Sequence, residues 1–411
     1  FHADYNEDCY YWYGIKRSKD CCDNHYCHES QHCYECIDVS KCNNMFWCQD
    51  CENCGSCWFV RDCVGCHECF LCTGLRNKKY CFLNEQLTEK EYTAKIVEFD
   101  TGSNAMIEKA KMLFQKLQSQ HTYKHLHNIM CENVTGNHLT RCKDVSNCFD
   151  CTEVQDSKHC FQVQFNVKNC YDLYQYGIDQ SFCYETDMAG IQVNNLRFCH
   201  TTNTVASDCD YCIYTRWSKN CFGCVSLNNA KHCILNKQYS KSEFESSKTK
   251  LIQKMTSDGE WGEFFPIKYS ESCYNETIAQ LWFPLTKEKA LEEGFRWQDD
   301  LPGTTWKETL KSLPDHIGKV DRSMVNEILA CETCSKNYRI VAQELAFYLQ
   351  HDLPLPRECF DCRRERRFHS RVKRDMRMGE CCECSSQMET VYPESFAWRV
   401  ACEECYKKRV Y

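Results

Sequence analysis

The chain has 411 residues, a formal net charge of −8 and 39 cysteines. A chain of this length can bury a sizeable hydrophobic core. It therefore does not need the disulfide bonds that stabilise domains of fewer than about 70 residues. The odd number of cysteines excludes complete pairing within one chain, and a content this high favours metal binding in a reducing compartment. No apolar run of about 18 residues is present, so we expect no membrane partner and a cytoplasmic location.

Residues 1–87 form the first of two predicted cysteine-rich segments. The stretch from Cys48 to Cys72 reads CQDCENCGSCWFVRDCVGCHECFLC and contains two runs of C-x-x-C-x-x-C-x-x-C. Short repeats without a helix-length apolar period predict a β-solenoid, whose coils stack about 4.8 Å apart. A cysteine at one place in every coil is then a small, buried, inward residue. When the first segment is shifted by 15 residues against itself, about ten pairs of cysteines coincide, which predicts a coil of about 15 residues. The cysteine spacing of the second segment instead predicts a coil of about 24 residues.

The two central runs allow three interpretations. Their thiols are candidate ligands of zinc or another soft metal held between coils, candidate ligands of iron–sulfur clusters, or core cysteines without a ligand. The C-x₃-C-P element that closes the ferredoxin pattern is absent. Further zinc or iron–sulfur clusters can be accommodated within residues 21–81. The candidate ligands are Cys48, Cys51, Cys54, Cys57, Cys63, Cys66, Cys69 and Cys72.

Residues 88–125 are predicted to form a helical insert. Thr88 and Glu91 make a capping box that begins the first helix. The following sequence NAMIEKAKMLFQKLQ has apolar residues at helical spacing, which predicts a second helix.

Residues 126–237 form the second cysteine-rich segment, which duplicates the first. CFGCVSLNNAKHCILNKQYSKSEF at 221–244 matches CFLCTGLRNKKYCFLNEQLTEKEY at 69–92 at about 11 of 24 positions. Both copies contain an LNxQ motif and end in a capping box, which is formed by Ser240 and Glu243 in the second copy. Cysteines preceded by polar residues recur through this segment; they are Cys148, Cys160, Cys170, Cys183, Cys199, Cys209, Cys221 and Cys233.

Residues 238–324 contain the closing helix of the second segment and an aromatic connector. Thr286 is the predicted N-cap of a short helix in the connector, and Gly294 its predicted end. The tryptophans of this region are expected to pack over the solenoid rather than to stack on a ligand.

The C-terminal residues carry the clearest metal-binding pattern, in two zinc ribbons at 325–378 and 379–411. Each contains two C-x-x-C pairs, which are separated by 24 residues in the first ribbon and 17 in the second. Four thiolates can hold one tetrahedral Zn²⁺ and leave no open position for water, so at least two ions should hold the fold rather than catalyse. Cys382 is a spare cysteine or an alternative ligand. The predicted ligands are Cys331, Cys334, Cys359 and Cys362, then Cys381, Cys384, Cys402 and Cys405.

A basic run follows the first zinc ligands in an otherwise acidic chain. The sequence RRERRFHSRVKRDMRM has eight arginines or lysines and two acidic residues. Arginines fixed beside a metal knuckle are suited to paired hydrogen bonds with phosphate, so RNA or DNA is a candidate partner of residues 363–411, with a protein as the alternative. The candidate contacts are Arg363, Arg364, Arg366, Arg367, Arg371, Lys373, Arg374 and Arg377.

These sequences carry resemblances to known proteins. CETCSKNYRIVAQELAFYLQHDLPLPRECFDCRRERR resembles zinc-ribbon domains of bacterial proteins, and ECCECSSQMETVYPESFAWRVACEECYKKRVY is similar to a second zinc-binding motif of small proteins. The cysteine-rich part with LNxQ resembles cysteine-rich repeat proteins of bacteria with reduced genomes and of metagenomes. The ribbon resemblance implies structural zinc, and the repeat resemblance implies no activity.

The predicted fold is mainly β: a cysteine-rich β-solenoid in two duplicated segments with closing helices, followed by zinc-ribbon or treble-clef-like modules. No standard enzyme signature or phosphate loop is present, so a small-molecule substrate is not expected. We therefore expect a non-enzymatic zinc-binding scaffold or adaptor. The alternatives are an iron–sulfur or other metal-cluster redox protein and an extracellular structural protein stapled by disulfides.

Overall fold

The computed structural model describes residues 5–174, 207–301, 307–310 and 312–410. Two of the recurrent cysteines of the second segment, Cys183 and Cys199, lie outside these residues. Strand accounts for 33% and helix for 25%, so the prediction of a strand-rich chain is confirmed. The first eleven strands are β1 (Glu7–Tyr10), β2 (Lys19–Cys22), β3 (His25–His28), β4 (Gln31–Tyr34), β5 (Ile37–Ser40), β6 (Asn43–Phe46), β7 (Gln49–Glu52), β8 (Gly55–Arg61), β9 (His67–Thr73), β10 (Lys79–Phe82) and β11 (Glu85–Gln86).

The later strands belong to the second segment and to the C-terminal modules. They are β12 (Thr122–Lys124), β13 (Glu132–Thr140), β14 (Lys143–Lys158), β15 (Gln164–Lys168), β16 (Ser207–Asp210), β17 (Lys219–Phe222), β18 (Lys231–Ile234), β19 (Lys237–Gln238), β20 (Leu329–Ala330), β21 (Asn337–Tyr338), β22 (Arg377–Glu380), β23 (Gln387–Thr390) and β24 (Arg399–Ala401).

The helices lie between and after the strand-rich segments. They are α1 (Glu89–Val97), α2 (Asn104–Gln118), α3 (Lys241–Ser257), α4 (Ala279–Trp282), α5 (Lys287–Glu292), α6 (Ala342–Gln350), α7 (Phe360–Ser370) and α8 (Glu403–Val410). Short 3₁₀ helices span Ile267–Tyr269, Tyr274–Glu276, Ile317–Lys319 and Arg322–Asn326. Among the described helices, none is both long enough and apolar enough to span a lipid bilayer.

Parallel pairing in the first segment follows a constant step of twelve residues. Glu7 pairs with Lys19 and Lys19 with Gln31, and the step continues through β6, β8, β9 and β10. The other strands of this segment keep the same step, since His25 pairs with Ile37. The predicted period of 15 residues is therefore wrong, and 24 residues correspond to two steps.

The backbone of this segment also repeats every three residues. Every third residue from Asp8 to Leu83 has a positive φ, as at Asp50 (54°) and Asn53 (52°). The residue that follows is usually buried, and Cys51 and Cys54 hold this place after Asp50 and Asn53. The C-x-x-C spacing of the sequence thus places successive cysteines at equivalent buried positions.

The buried positions favour small side chains that form hydrogen bonds. Cys54 Sγ donates to the carbonyl oxygen two residues earlier at 3.3 Å and accepts the N–H of Cys66, twelve residues later, at 3.4 Å. Ser30 does the same, donating to the carbonyl two residues earlier at 2.7 Å and accepting the N–H of Cys42 at 3.1 Å. Cysteine at these places therefore both packs and pairs buried backbone groups.

The second segment is built in the same way with local shifts. Ser207 pairs with Lys219 in parallel at a step of twelve. Between β13 and β14 the step changes from eleven to twelve before Gly136, which pairs with Cys148. Gly136 has φ 132°, and a Cβ atom at this place would lie 1.8 Å from the carbonyl oxygen of Cys148. A glycine is required where the register shifts.

Each segment closes with the LNxQ motif. In the first copy the chain reverses through Leu83 and Asn84, so β11 pairs antiparallel with β10. The Asn84 side chain accepts the N–H of Thr73 at 2.8 Å and donates to its carbonyl at 3.0 Å. Asn236 makes the same two bonds with Val225, at 2.8 and 2.9 Å. The capping boxes predicted from sequence then begin α1 and α3.

Outward aromatic side chains at the twelve-residue step form a surface on which other elements pack. Phe46 stacks on Trp58 with ring centroids 4.2 Å apart, and Phe70 stacks on Phe82 at 5.9 Å. Helix α2 packs on this row through Phe114 and its neighbours. Helix α6, which lies between the two C-x-x-C pairs of the first C-terminal module, packs on the earlier part of the row.

Candidate metal centres

The first four-cysteine site lies between a tight turn and the start of a helix. Cys331 and Cys334 lie on the turn between β20 and β21, Cys359 is the N-cap of α7, and Cys362 lies in its first turn. The four Sγ atoms lie within 4.8 Å of one another, with Cys334 and Cys359 3.7 Å apart. Four sulfurs bound to Zn²⁺ at about 2.3 Å lie about 3.8 Å apart, so this group has the geometry of a tetrahedral thiolate site.

The second site repeats this arrangement with other elements. Cys381 and Cys384 lie on the turn between β22 and β23, Cys402 precedes α8, and Cys405 lies in its first turn. The four Sγ atoms again lie within 4.8 Å, with Cys384 and Cys402 3.9 Å apart. Both predicted sets of four cysteines are therefore brought together.

The two turns share one backbone conformation. Ser335 and Ser385 follow the second cysteine of their turns with φ 60° and 58°. Each serine N–H donates at 2.9 Å to the carbonyl of the first cysteine, Cys331 or Cys381. This left-handed residue turns the chain back toward the partner strand and leaves both thiols on the inner side of the turn.

Backbone N–H groups point at the first thiol of each turn. Cys359 N–H donates to Cys331 Sγ at 3.2 Å, and Cys402 N–H donates to Cys381 Sγ at 3.3 Å. Burial raises the pKa of Cys331, but N–H donors from Cys359 and the turn outweigh it and lower the pKa to about 7. The same balance lowers the pKa of Cys381 to about 6. These donors favour the thiolate, which is the form that binds metal.

Cys382 does not belong to the second site. Its side chain is exposed, and its N–H donates to the carbonyl of Val400 at 2.9 Å. Glu332 holds the equivalent place in the first turn and makes the equivalent bond to Arg357, at 3.1 Å. The four thiols that converge are therefore the four named from the sequence, and Cys382 is not among them.

The eight central cysteines of the first segment, in contrast, do not converge. Among the described residues, the remaining group of three or more ligand atoms within 4.8 Å consists of Cys21, Cys27 and Cys33, and none of the eight belongs to it. Most of their thiols donate to carbonyl oxygens two residues earlier, as Cys51 does to Gln49 at 3.2 Å. The prediction that they share a metal ion is not supported, because no three of their sulfurs lie within 4.8 Å of one another; these eight are Cys48, Cys51, Cys54, Cys57, Cys63, Cys66, Cys69 and Cys72.

The first module is fixed to the repeat by buried arginines of α7. Arg367 donates to Asp23 at 2.8 Å and to Glu35 at 2.9 Å. Arg363 also binds Asp23, and it donates to Glu344 of α6 at 3.1 Å. Burial raises the pKa of Glu35, but Arg366 and Arg367 outweigh it and lower the pKa to about 2. Asp23 and Glu35 of the repeat therefore supply negative charges that pair with the arginines of α7.

A second set of pairs joins both repeat segments through the residues after α7. Arg371 donates to Asp38 at 2.7 Å and to Asp150 at 3.1 Å. Arg374 donates to Asp150 at 2.7 Å. Burial would raise the pKa of Asp150, yet the two guanidinium groups hold it well below its usual range. Asp38 comes from the first segment and Asp150 from the second, so Arg371 bridges them.

The spacing of these groups explains the fit. Arg363, Arg367 and Arg371 are four residues apart, which is about one helical turn of 5.4 Å. Asp23 and Glu35 are twelve residues apart, which is one step of the parallel strand pairing, about 4.8 Å. Arg363 and Arg367, one helical turn apart, can therefore both reach Asp23, and Arg367 also reaches Glu35.

This placement corrects the predicted nucleic-acid surface. Four of the eight basic residues are buried and paired with carboxylates, so they do not face a phosphate; these are Arg363, Arg367, Arg371 and Arg374. Of the rest, Arg366 binds Glu35 and Glu358, and Arg364 binds Asp361; Arg377 donates to the Tyr392 carbonyl, and Lys373 is exposed. Contact of this remainder with nucleic acid stays a prediction.

The second module is attached to the first repeat segment and to the helical insert. Strand β12 pairs in parallel with β24, which directly precedes Cys402. Asp62 accepts hydrogen bonds from Arg76 at 2.9 Å and from Tyr406 of α8, and its carboxylate lies 3.1 Å from His121. Burial raises the pKa of Asp62, but His121 and Arg76 outweigh it and lower the pKa to about 2.

Comparisons with protein-family models and with curated proteins gave no match to this chain. The described cysteines are all free thiols.

Sequence reasoning missed two features that the twelve-residue step reveals. The acidic partners of the arginines recur at this step, since Asp38, Asp50 and Asp62 are twelve residues apart. Asp50 pairs with Arg61 at 3.3 Å. The group of Cys21, Cys27 and Cys33 was missed because only the fold brings Cys27 toward the other two.

Proposed function

We propose that the chain is a non-enzymatic, zinc-stabilised scaffold or adaptor, in which two β-solenoid segments with closing helices carry two zinc ribbons of the treble-clef type. The observation that carries the proposal is the convergence of two complete sets of four thiols, each between a turn and a helix start. Four thiolates complete the coordination of zinc and leave no position for water or substrate, so these ions would be structural.

The solenoid part of the proposal is supported by the pairing pattern. The parallel step of twelve residues is constant through the first segment, and buried residues recur every third position. Repeats that contact only their neighbours form long surfaces, which are commonly used to hold other elements or proteins. In this chain the aromatic and acidic rows already hold α2, α6 and α7.

Elemental analysis of the full chain, purified under reducing conditions, tests the metal assignment. We expect two zinc ions per chain, and we expect Cys334→Ser and Cys384→Ser each to lose one of them. Cys382→Ser is the matched control and should keep both, because its side chain lies outside the site. Iron with a visible absorption band would instead support the redox alternative, and thiols unreactive after denaturation without reductant would support the disulfide alternative.

A partner would meet the part of the C-terminal modules that the repeat leaves exposed. Nucleic-acid binding, if present, should weaken with salt with a slope of about 0.7 to 0.9 per phosphate contact on a log–log plot. Replacing Arg364 and Lys373 by Ala should flatten this slope, and zinc content should not change. Binding that is absent at low salt, or that ignores salt, would leave a protein partner as the proposal.

A further inference from the structure

We propose that Cys21, Cys27 and Cys33 form a third metal site, inside the first repeat segment, and that its ion is Cu(I). The site shares no residue with the two C-terminal centres. It therefore stands or falls independently of structural zinc in those modules.

The three thiols meet inside the stack. Their Sγ atoms all lie within 4.8 Å of one another, and the three residues have no exposed surface. An ion with three coplanar sulfur ligands at about 2.3 Å, the length of a zinc–sulfur bond, places the sulfurs about 4.0 Å apart. The observed separations, all within 4.8 Å, are compatible with this value.

Cys27 differs from the cysteine at the equivalent place two steps later. Cys51 donates to the carbonyl oxygens of Gln49 at 3.2 Å and Val60 at 3.7 Å. Cys27 Sγ lies within 4.8 Å of the sulfurs of both Cys21 and Cys33, whereas Cys51 belongs to no such group of three among the described residues. Cys27 is therefore placed to share an ion with the other two thiols.

Among the residues that the structure describes, no fourth His, Cys, Asp or Glu places a ligand atom within 4.8 Å of all three sulfurs, although the Cys36 thiol adjoins that of Cys33. The Asn24 amide is occupied, because it donates to the Cys33 carbonyl at 2.7 Å and accepts the N–H of Cys36 at 2.8 Å. Ser30 Oγ is occupied in the same way by the His28 carbonyl and the N–H of Cys42. Structural zinc takes four ligands, and a buried site gives it no water, so three sulfurs alone do not satisfy it.

Ligand softness favours Cu(I) for the same site. Sites made only of sulfur select soft metals, which are Cu(I), zinc and iron–sulfur clusters. Because structural zinc takes four ligands, Cu(I) fits a site of three sulfurs better. On binding, each thiol that becomes a ligand releases its proton to the buffer, while copper remains monovalent. The step therefore needs no oxidant or reductant. The positive ion also offsets the cost of burying thiolate charge.

The test is a Cu(I) competition on the full-length, zinc-loaded chain under anaerobic conditions, with bicinchoninate as the competing ligand. We expect the wild type to withdraw one equivalent of Cu(I) and to keep its zinc. Cys27→Ser should weaken this binding by more than the roughly 10–100-fold that loss of an outer-shell partner costs. Cys51→Ser is the matched control and should bind as the wild type does. Serine is compatible with these buried positions, because Ser30 occupies one of them.

X-ray absorption of the wild-type complex provides a readout that needs no variant. Three sulfur neighbours around copper, with no loss of zinc, are expected. Four sulfur neighbours, release of zinc, a folded Cys27→Ser chain that binds copper as tightly as the wild type, or an equal loss in Cys51→Ser would each overturn the proposal. An extra zinc ion in the wild type that Cys27→Ser lacks would overturn the choice of Cu(I).

Discussion

The first repeat segment and the C-terminal modules both contain Cys-x-x-Cys pairs, but the left-handed residue lies at different places in them. In the repeat it precedes each cysteine, as Asp50 precedes Cys51, and the chain turns a corner before every thiol. In the first module it is Ser335, after the second cysteine, so Cys331 and Cys334 lie on one turn. The same spacing therefore takes part in a group of four thiols in each C-terminal module, whereas the eight central thiols of the repeat form no group of three within 4.8 Å.

Cys51 of the repeat and Cys381 of the second module form hydrogen bonds of opposite direction. Cys51 donates its proton to a carbonyl at 3.2 Å, and burial raises its pKa well above the usual range. Cys381 instead accepts an N–H at 3.3 Å, and its pKa is lowered to about 6. The surroundings of Cys51 therefore favour its thiol form, and those of Cys381 favour the thiolate.

The largest expected effect distinguishes the cysteines of the C-terminal modules from those of the repeat. Cys334→Ser should destabilise the first module by several kcal/mol, because structural zinc binding supplies most of the folding free energy of such a unit. Zinc content and thermal unfolding of the full chain measure this. Cys51→Ser, in the repeat, should keep all the zinc; loss of zinc from this variant would contradict the comparison.

The second effect concerns the arginines that hold the regions together. Arg371→Met leaves the Asp38 carboxylate buried without its cation and removes one of the two arginines that bind Asp150, which should cost about 3–5 kcal/mol of unfolding free energy. Chemical denaturation measures the change. Arg364→Met is the control, because its pair with Asp361 is on the surface and should cost less than about 1 kcal/mol. Equal losses in both variants would show that burial of the pair is unimportant.

The third effect is the pH dependence of the ion pairs that Glu35 makes with Arg366 and Arg367 of α7. The pKa of Glu35 is lowered to about 2 in the folded chain, so its contribution is complete above its unfolded value of about 4.3 and is lost as the pH falls toward 2. Two pKa units correspond to on the order of 3 kcal/mol. The difference in unfolding free energy between wild type and Glu35→Gln should shrink over this interval. Loss of zinc in acid affects both chains, and a difference that does not change with pH would contradict the assignment.

The smallest effect tests why the repeat uses cysteine rather than another small residue. Cys54→Ala removes a donor to a buried carbonyl and the acceptor for the N–H of Cys66, which should cost about 1–3 kcal/mol. Cys54→Ser keeps both roles and should cost less, since Ser30 is found two steps earlier at the equivalent place. Urea unfolding of the two variants measures the difference. If alanine were as stable as serine, packing alone would explain the cysteines.

The local signals of the sequence were sufficient for α1, α2, α3 and α5 and for the two groups of four cysteines, but not for α7, which carries the buried arginines. Capping boxes at Thr88 and Ser240 begin α1 and α3 as predicted, and Thr286 begins α5. The two sets of C-x-x-C pairs converge because each pair is local, and the spacing within a turn or a first helical turn already brings two thiols together.

The twelve-residue step was not recognised from the cysteines because buried positions recur every three residues. Any lag that is a multiple of three, including 15, superposes them. The outward residues carry the true step, as in the row of Tyr34, Phe46, Trp58 and Phe70. The buried arginines were misassigned for a related reason: their partners, such as Asp23 and Asp150, are distant in sequence, and charge density alone does not distinguish a buried pair from a surface.

The LNxQ turns have a consequence for self-association. A stack of parallel strands presents at its last rung a line of free N–H and carbonyl groups, on which a second molecule can add its own strands without limit. Asn84 and Asn236 occupy part of that line with their side-chain amides, and the reversed strands β11 and β19 and the helices after them follow at once. Each motif thus ends the row of parallel pairing groups at its end of a segment. This hinders the addition of strands from a second molecule, and with it the growth of a fibre.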